Sequence, residues 1–390
     1  MRKYRNLFED VVSPENVLRA FYRAHLGKRY RVEANRFHLR LEENVLDLAE
    51  ELATGTYEPG AYRSFLIREP KERLVSAAPF RDRVVHHAIC AVVEPIFETK
   101  FIEDTYACRV GKGQHKALDR FTAFARRHSM VMKLDVRRFF PGVDHRLLLG
   151  LLGRTLDDAR LMQVITRIVA SGAKVHPASR APDYFPGDHL FTPLERPKGL
   201  PIGNLTSQLF ANVYLSPLDD HIKRRLGCQA YVRYMDDMVL FADDRASLLA
   251  LRHEVSTFLS RWRLRVHEDK CRICSTARGM PYLGFLVYPD HRRVLGSGVR
   301  RFSRRLTRLQ AAYAVGDVQV PGVRQSIAGW MGHAQHADTL GLRTAVLGRF
   351  GFTRSVDGPQ RSKGTVGPAS QPALGRKAGR DPATVAVPGA

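Results

Sequence analysis

Stretches with apolar residues every three or four positions alternate along the chain with short apolar runs and with segments that have no period. Ser13-Pro14-Glu15 reads as a helix start, Ser as N-cap and Pro at the first helical position, and this helix is expected to run to Gly27. Phe37, Leu41, Val45, Leu48 and Leu52 share a helical face between Asn35 and Ala53, which Gly55 closes. Ser64 to Ser76 reads as two strands around a turn at Pro70, a basic hairpin, and Arg81 to Phe97 as a long helix. Val131 to Asp135 is a buried strand ending on a carboxylate, and Leu147 to Ala170 is helical. Residues 172–198 are rich in Pro, Gly and polar side chains, so a long loop or insertion is expected. Ser207 to Leu226 reads as a helix, Tyr231 to Ala242 as two apolar arms around Asp236-Asp237 and hence a hairpin, and Pro281 to Tyr288 as a short strand region. Val299, Phe302, Leu306 and Leu309 form one face of a helix whose other positions hold Arg300, Arg301, Arg304, Arg305 and Arg308; a second helical stretch runs from about Val323 to Leu347. Beyond about residue 352 the period is lost among Gly, Pro, Ser, Ala, Lys and Arg, which predicts a disordered basic tail. No internal repeat is visible.

Composition narrows the classes. A chain of 390 residues has room for about two or three domains, and 44% hydrophobic with 26% charged residues is the balance of a folded protein. No apolar run approaches the roughly 18 residues of a membrane span. The N-terminus has no apolar signal core, so secretion is not expected and a cytoplasmic location is. With 62 Lys plus Arg against 39 Asp plus Glu, the net charge of +23 calls for a polyanionic partner, and nucleic acid fits better than a membrane surface. The five cysteines, Cys90, Cys108, Cys228, Cys271 and Cys274, are too few, and odd in number, for a disulfide framework. Cys271 and Cys274 lack the second pair that a zinc site needs, so reduced structural thiols are expected.

Two segments carry candidate chemistry: Lys133-Leu134-Asp135-Val136-Arg137-Arg138-Phe139-Phe140, and Tyr234-Met235-Asp236-Asp237 at the tip of the apolar hairpin. Adjacent carboxylates between apolar arms repel one another unless a cation sits between them and a third carboxylate. Mg²⁺ takes oxygen ligands and suits one or two carboxylates plus substrate phosphates. Asp243-Asp244 stands where the second arm ends and reads as a plain solvated turn. Gly111-Lys112-Gly113 lacks the full spacing of a Walker loop, His333 and His336 have no third ligand, and Trp330 reads as helix core.

The order of these segments resembles the motif series of reverse transcriptases: Asp135 followed by Phe139-Phe140, then Gly199-Leu200-Pro201-Ile202-Gly203-Asn204, then Tyr-Met-Asp-Asp, then Lys270, then Tyr282-Leu283-Gly284-Phe285. Upstream, Arg81-Asp82-Arg83-Val84-Val85-His86-His87, Glu94-Pro95-Ile96-Phe97-Glu98 and Tyr106-Ala107-Cys108-Arg109-Val110-Gly111-Lys112-Gly113 resemble the fingers blocks of the bacterial enzymes. The likeness covers about residues 60 to 350. It implies an α/β fold of the right-hand polymerase type, with an antiparallel palm sheet and a helical thumb. The divisions expected are an N-terminal helical extension (1–60), fingers (61–130), a palm with finger elements and the 172–198 loop (131–297), a thumb (298–351) and the tail (352–390).

Within the resemblance, Asp135 and Asp236 correspond to the metal-binding aspartates and Asp237 to the third acidic residue, with the Val136 carbonyl as a further ligand. The implied cofactor is a pair of Mg²⁺ ions, with Mn²⁺ as a substitute, serving RNA-directed DNA synthesis. Phe140 corresponds to the aromatic gate that excludes a 2′-hydroxyl, while Phe139 suits core packing. Lys71, Arg73, Ile202 and Lys270 would meet the incoming dNTP, Lys270 either protonating pyrophosphate or pairing a carboxylate. Arg300, Arg301, Arg304, Arg305 and Arg308 would hold the template–primer backbone. Implied partners are an RNA template, a DNA or RNA primer, dNTPs and a small basic accessory protein, with no membrane. Ile202 and the Ser207-Gln208 that follow resemble the enzymes of diversity-generating retroelements, where group II intron and retron enzymes place Gln and then Ser-Pro. No nuclease module or extended maturase region is recognisable. Group II intron, retron and defence-type enzymes, or an RNA-binding splicing or assembly factor with secondary polymerase activity, are the alternatives.

Overall fold

The computed structural model describes residues 2–68, 72–173, 175, 176 and 182–354. Pro70, Lys71 and the tail from residue 355 lie outside them.

The chain begins with four helices: α1 (Phe8–Val12), α2 (Pro14–His25), α3 (Val32–Leu39) and α4 (Leu41–Thr54). Ser13 caps α2 as expected, its hydroxyl accepting from the Asn16 amide at 3.3 Å. The expected single helix from Asn35 to Ala53 is instead two, because Arg40 leaves the helical region (φ −126°, ψ 50°). Gly55 ends α4 at φ 74°, a left-handed position that glycine adopts without cost. The exposed hairpin β1 (Arg63–Ile67) and β2 (Arg73–Ala77) follows, then α5 (Phe80–Glu98) and α6 (Gln114–Ala125).

Next come β3 (Met130–Asp135), α7 (Phe139–Gly142), α8 (His145–Gly153) and α9 (Ala159–Ser171). The helix expected from 147 to 170 is split between α8 and α9. Asp158 ends the interruption: one carboxylate oxygen accepts from the Leu161 amide and the other from the amides of Leu7 and Phe8, so one residue caps α9 and the start of α1. Within the expected 172–198 loop, the described part holds only the short α10 (Thr192–Glu195).

Helix α11 (Leu205–Asp220) passes into a π-helical turn over His221–Arg225 and is followed by β4 (Tyr231–Tyr234), β5 (Asp237–Ala242), α12 (Arg245–Arg261) and β6 (Arg272–Ser275). Strands β4, β5, β3 and β6 form an antiparallel sheet in that order. Its alternating side chains separate two cores. Met132, Leu134, Met238 and Leu240 face α5, α8 and α11 in the larger one. Val131, Val239 and Phe241 face Phe121 and Phe124 of α6 in the other. The expected strand at 281–288 is a hairpin, β7 (Met280–Tyr282) and β8 (Phe285–Val287), extended by β9 (Arg292–Val294). Tyr282 stacks on Phe121 at 5.3 Å and so fastens this small sheet to the second core.

The chain closes with α13 (Gly296–Ala314), α14 (Val320–Ala334) and α15 (Leu340–Leu347). The helical stretch expected from 323 to 347 is thus two helices. Phe302, Leu306, Trp330, Ala334 and Val346 make a third core, in which Phe302 and Trp330 stack at 4.2 Å. The fold class is α/β with antiparallel sheets, as expected.

Candidate active site

The site lies at one end of the four-stranded sheet. The β3–β5 register sets Asp135 directly opposite Asp237, with the two side chains on the same face of the sheet. The β4–β5 hairpin turns through Met235 and Asp236 alone, and Met235 holds φ 58°, a conformation costly to a residue with a Cβ. The turn thereby sets Asp236 beside the other two carboxylates. Burial, and then the charges of Asp135 and Asp237, raise the Asp236 carboxyl from its ordinary value to about 6. The outer two aspartates are compensated: Lys133 Nζ lies 3.0 Å from Asp237, and the Lys270 ammonium pairs with Asp135. On Asp236, burial and the neighbouring charges are opposed by a hydrogen bond from its own backbone and then by the charge of Arg73.

Among the described residues no group of three or more His, Cys, Asp or Glu side chains is placed so that it could by itself hold a metal ion. The two lysines occupy oxygens of Asp135 and Asp237 as cations would. Three carboxylates at one end of a sheet make an all-oxygen donor set, the chemistry that suits a divalent ion completed by substrate phosphates. Val136 continues this edge. The bridge between Val136 and Val266 is made by the Asp135 carbonyl and the Arg137 amide, so the Val136 carbonyl is directed to the opposite side, away from residues 265–267. The same bridge delivers Lys270 to Asp135, because His267 donates to the Asp135 carbonyl at 2.7 Å.

Phe139 and Phe140 part as their neighbours dictate. Phe139 is buried in the large core, whereas Phe140 is only partly buried and meets it edge-on at 5.4 Å. Arg138, in the left-handed region at φ 49°, precedes α7, and Phe140 packs at the edge of the core that encloses Phe139. A strap from Gly199 to Gly203 joins Phe140 to the β1–β2 hairpin. Leu200 donates to the Phe140 carbonyl at 2.8 Å, and the Ile202 carbonyl accepts from Ser76 of β2 at 2.9 Å. Gly203 holds φ 128°, and a Cβ there would lie 3.2 Å from the Ser76 carbonyl and 3.3 Å from Val75, so the strap needs glycine at that point. Ile202 itself is half-buried. Asp135, Asp236, Asp237, Lys270, Arg73, Phe140 and Ile202 are therefore gathered along one connected set of elements, and Lys71 lies outside the described residues.

The arginines are placed apart from the carboxylates. Arg301, Arg304, Arg305 and Arg308 line a groove of about 1060 Å³ between α13, α14 and the β7–β8 turn, and Arg300 is exposed on the same helix. Hairpin β7–β8 spans the two regions: the Tyr282 ring lies 5.8 Å from Lys133, while Leu283 and Gly284 border the groove. His333 packs on Phe285 at 4.4 Å and His336 stacks on His115, so each has an aromatic partner. Lys112 pairs with Glu103, and Asp244 caps α12 through the Ser247 amide at 2.7 Å.

Sequence reasoning missed Lys133 as the partner of Asp237, and it missed Arg233, which is fully buried behind the turn. The available signal was a charged residue inside each of two strands that otherwise read as apolar.

Comparison with known proteins places the chain in a family. The model of the reverse transcriptase (RNA-dependent DNA polymerase) family matches residues 67–287. Protein YkfC of Escherichia coli (strain K12) is 26% identical over 287 residues, covering 63% of this chain and 71% of that protein. The group II intron-encoded protein LtrA of Lactococcus lactis subsp. cremoris is 24% identical over 184 residues, 46% of this chain but 28% of LtrA's own length. A telomerase from Candida albicans, solved with a fragment of telomeric RNA, aligns with a TM-score of 0.40 at 10% identity over 65% of this chain and 51% of that chain.

Proposed function

Because the chain belongs to the reverse transcriptase (RNA-dependent DNA polymerase) family, we propose that it copies an RNA template into DNA at the three-aspartate end of its sheet. The observation that carries this reading is Asp135 opposite Asp237 with the Asp236 carboxyl raised between them. In this reading β1–β2, α5 and α6 serve as fingers, the four-stranded sheet as palm and α13–α15 as thumb.

Asp135, Asp236, Asp237 and the Val136 carbonyl would hold divalent metal, Mg²⁺ with Mn²⁺ as a substitute. When bound, the metal supplies activation of a primer 3′-oxygen and charge neutralisation at the leaving pyrophosphate. The chain's own residues do the rest. Lys133 and Lys270 balance the carboxylates before substrate arrives, and Lys270, exposed on its free side, is within the site to meet pyrophosphate. Arg73, beside Asp236, offers a fork of donors to the triphosphate, with Lys71 as the second cation of that hairpin. Phe140 stands where a sugar would rest and Ile202 beside the nascent pair. The arginine groove would neutralise template–primer phosphates. Positioning and charge thus supply the catalysis, with no covalent step on the protein.

For the subgroup, Ile202 and Ser207-Gln208 favour an error-prone enzyme of a diversity-generating retroelement working with a small basic accessory protein. The matches to LtrA, a group II intron-encoded protein, favour a group II intron lineage instead, although the chain spans less than a third of that protein. Extension of a DNA primer on a homopolymer RNA with Mg²⁺ tests the activity. Template-dependent DNA product is expected, and binding of the RNA without extension would replace the enzyme with an RNA-binding factor.

A further inference from the structure

Behind the carboxylates lies a second layer of charge. Arg233 is the third residue of β4 and is completely buried. Burying a guanidinium is costly unless its N–H groups all meet acceptors. Here Nε and Nη2 form a two-point pair with the carboxylate of Asp219, at 2.8 and 2.6 Å, near the end of α11. Nη1 donates to Asn212 Oδ1 at 3.0 Å and to the Met235 carbonyl at 3.1 Å. Each partner is fixed in turn. Asp219, also buried, accepts from the Tyr231 hydroxyl at 2.8 Å and from Thr105 at 3.3 Å, and Asn212 donates to the Ala107 carbonyl at 2.9 Å. The main chain of Arg233 is clamped as well: its amide donates to the Asp104 carbonyl and its carbonyl accepts from Tyr106.

The last acceptor gives this network its direction. Met235 holds the left-handed φ of 58° that turns the hairpin, and its carbonyl begins the peptide unit leading into Asp236. A left-handed non-glycine residue persists only where its surroundings hold it. Arg233 holds it from the buried side, while Asp236 is driven against Asp135 and Asp237 on the other. A planar fork reaches Asp219, Asn212 and the Met235 carbonyl from three separate nitrogens, and a single ammonium nitrogen cannot reproduce that spread of contacts.

We propose that Arg233, braced by Asp219 and Asn212, is a positioning residue that locks the Met235 turn so that Asp236 meets Asp135 and Asp237. The proposal rests on the reading of those aspartates as the reaction centre. A buried ion pair can often be exchanged for apolar side chains without loss of stability, whereas removal of one partner strands the other charge. A role confined to stability is therefore separable from positioning.

The test compares the full-length wild type with Arg233→Lys, the double variant Arg233→Met/Asp219→Leu and, as a control on the centre, Asp236→Asn. Thermal unfolding, affinity for a primer–template, KM for dNTP and kcat are measured for each. Both Arg233 variants are expected to fold, to bind primer–template and to keep KM near the wild type, while kcat falls at least about tenfold. Arg233→Lys retains the charge against Asp219 and so stays informative if the double variant is unstable. Wild-type kcat in either folded variant, beside an inactive Asp236→Asn, would overturn the positioning role alone. Activity in Asp236→Asn would instead reject the centre on which the proposal rests.

Discussion

Replacing Asp236 by Asn should make the metal-free protein more stable. The folded state raises this carboxyl from 3.8 to about 6, through burial and then the charges of Asp135 and Asp237. A carboxyl raised by folding binds its proton more tightly in the native than in the unfolded chain. Its favourable contribution is therefore complete below the unfolded value and is lost as pH rises through the folded one. A shift of roughly two units, at about 1.4 kcal/mol each, leaves the ionised wild type burdened by about 3 kcal/mol. Asn has nearly the same shape and no charge, so the variant escapes the burden. The gain should be full above about pH 7 and vanish below about pH 4. Urea unfolding of both proteins in EDTA, across that range, measures it. Divalent metal should narrow the difference at neutral pH, because only the wild type has the full set of carboxylates to bind it. A variant equally or less stable than the wild type at neutral pH, or a gain that persists on acidification, would refute the raised carboxyl at Asp236.

Phe140→Val should admit ribonucleotides, since Phe140 is only partly buried at the edge of the core that buries Phe139; the ratio of rNTP to dNTP incorporation on one template should rise by about tenfold or more, and an unchanged ratio would return Phe140 to packing. Ile202→Gln should reduce errors opposite template adenine, because Gln can hydrogen-bond near the nascent pair and each 1.4 kcal/mol of added discrimination is worth about tenfold. Sequencing of cDNA from both proteins reads this out, and accurate copying by the wild type, with its cognate RNA and any accessory protein, would count against the role of Ile202 and the diversity-generating subgroup.

Much of this fold was legible because its signals are local. Ser13 and Pro14 announce α2, Gly55 stops α4, and the apolar run before Asp135 is long enough for one strand. The breaks were not legible, because their causes are distant or lack a residue signature. The α8–α9 interruption ends at Asp158, whose carboxylate also holds the amides of Leu7 and Phe8, about 150 residues away in sequence. Arg40 divides α3 from α4 without glycine or proline. At the site, the aspartates stood out because adjacent carboxylates between apolar arms need an explanation. Lys133 and Arg233 did not, since a single charge in a strand is read as solvent-facing until its partner is found. Those partners, Asp237 and Asp219, lie on the neighbouring strand β5 and on α11, the helix before β4. Phe140 and Ile202 joined the site only through a strap of backbone hydrogen bonds that side-chain pattern does not reveal.

In the proposed function, Asp135, Asp236 and Asp237 together run Mg²⁺-dependent DNA synthesis on RNA. The most direct measurement of that role is primer extension by Asp135→Asn, made beside the affinity of the same protein for the same primer–template. Extension is expected to be abolished while affinity stays within about twofold of the wild type, because the arginine groove that would hold the nucleic acid is separate from the carboxylates. Extension at the wild-type rate by Asp135→Asn would contradict that role.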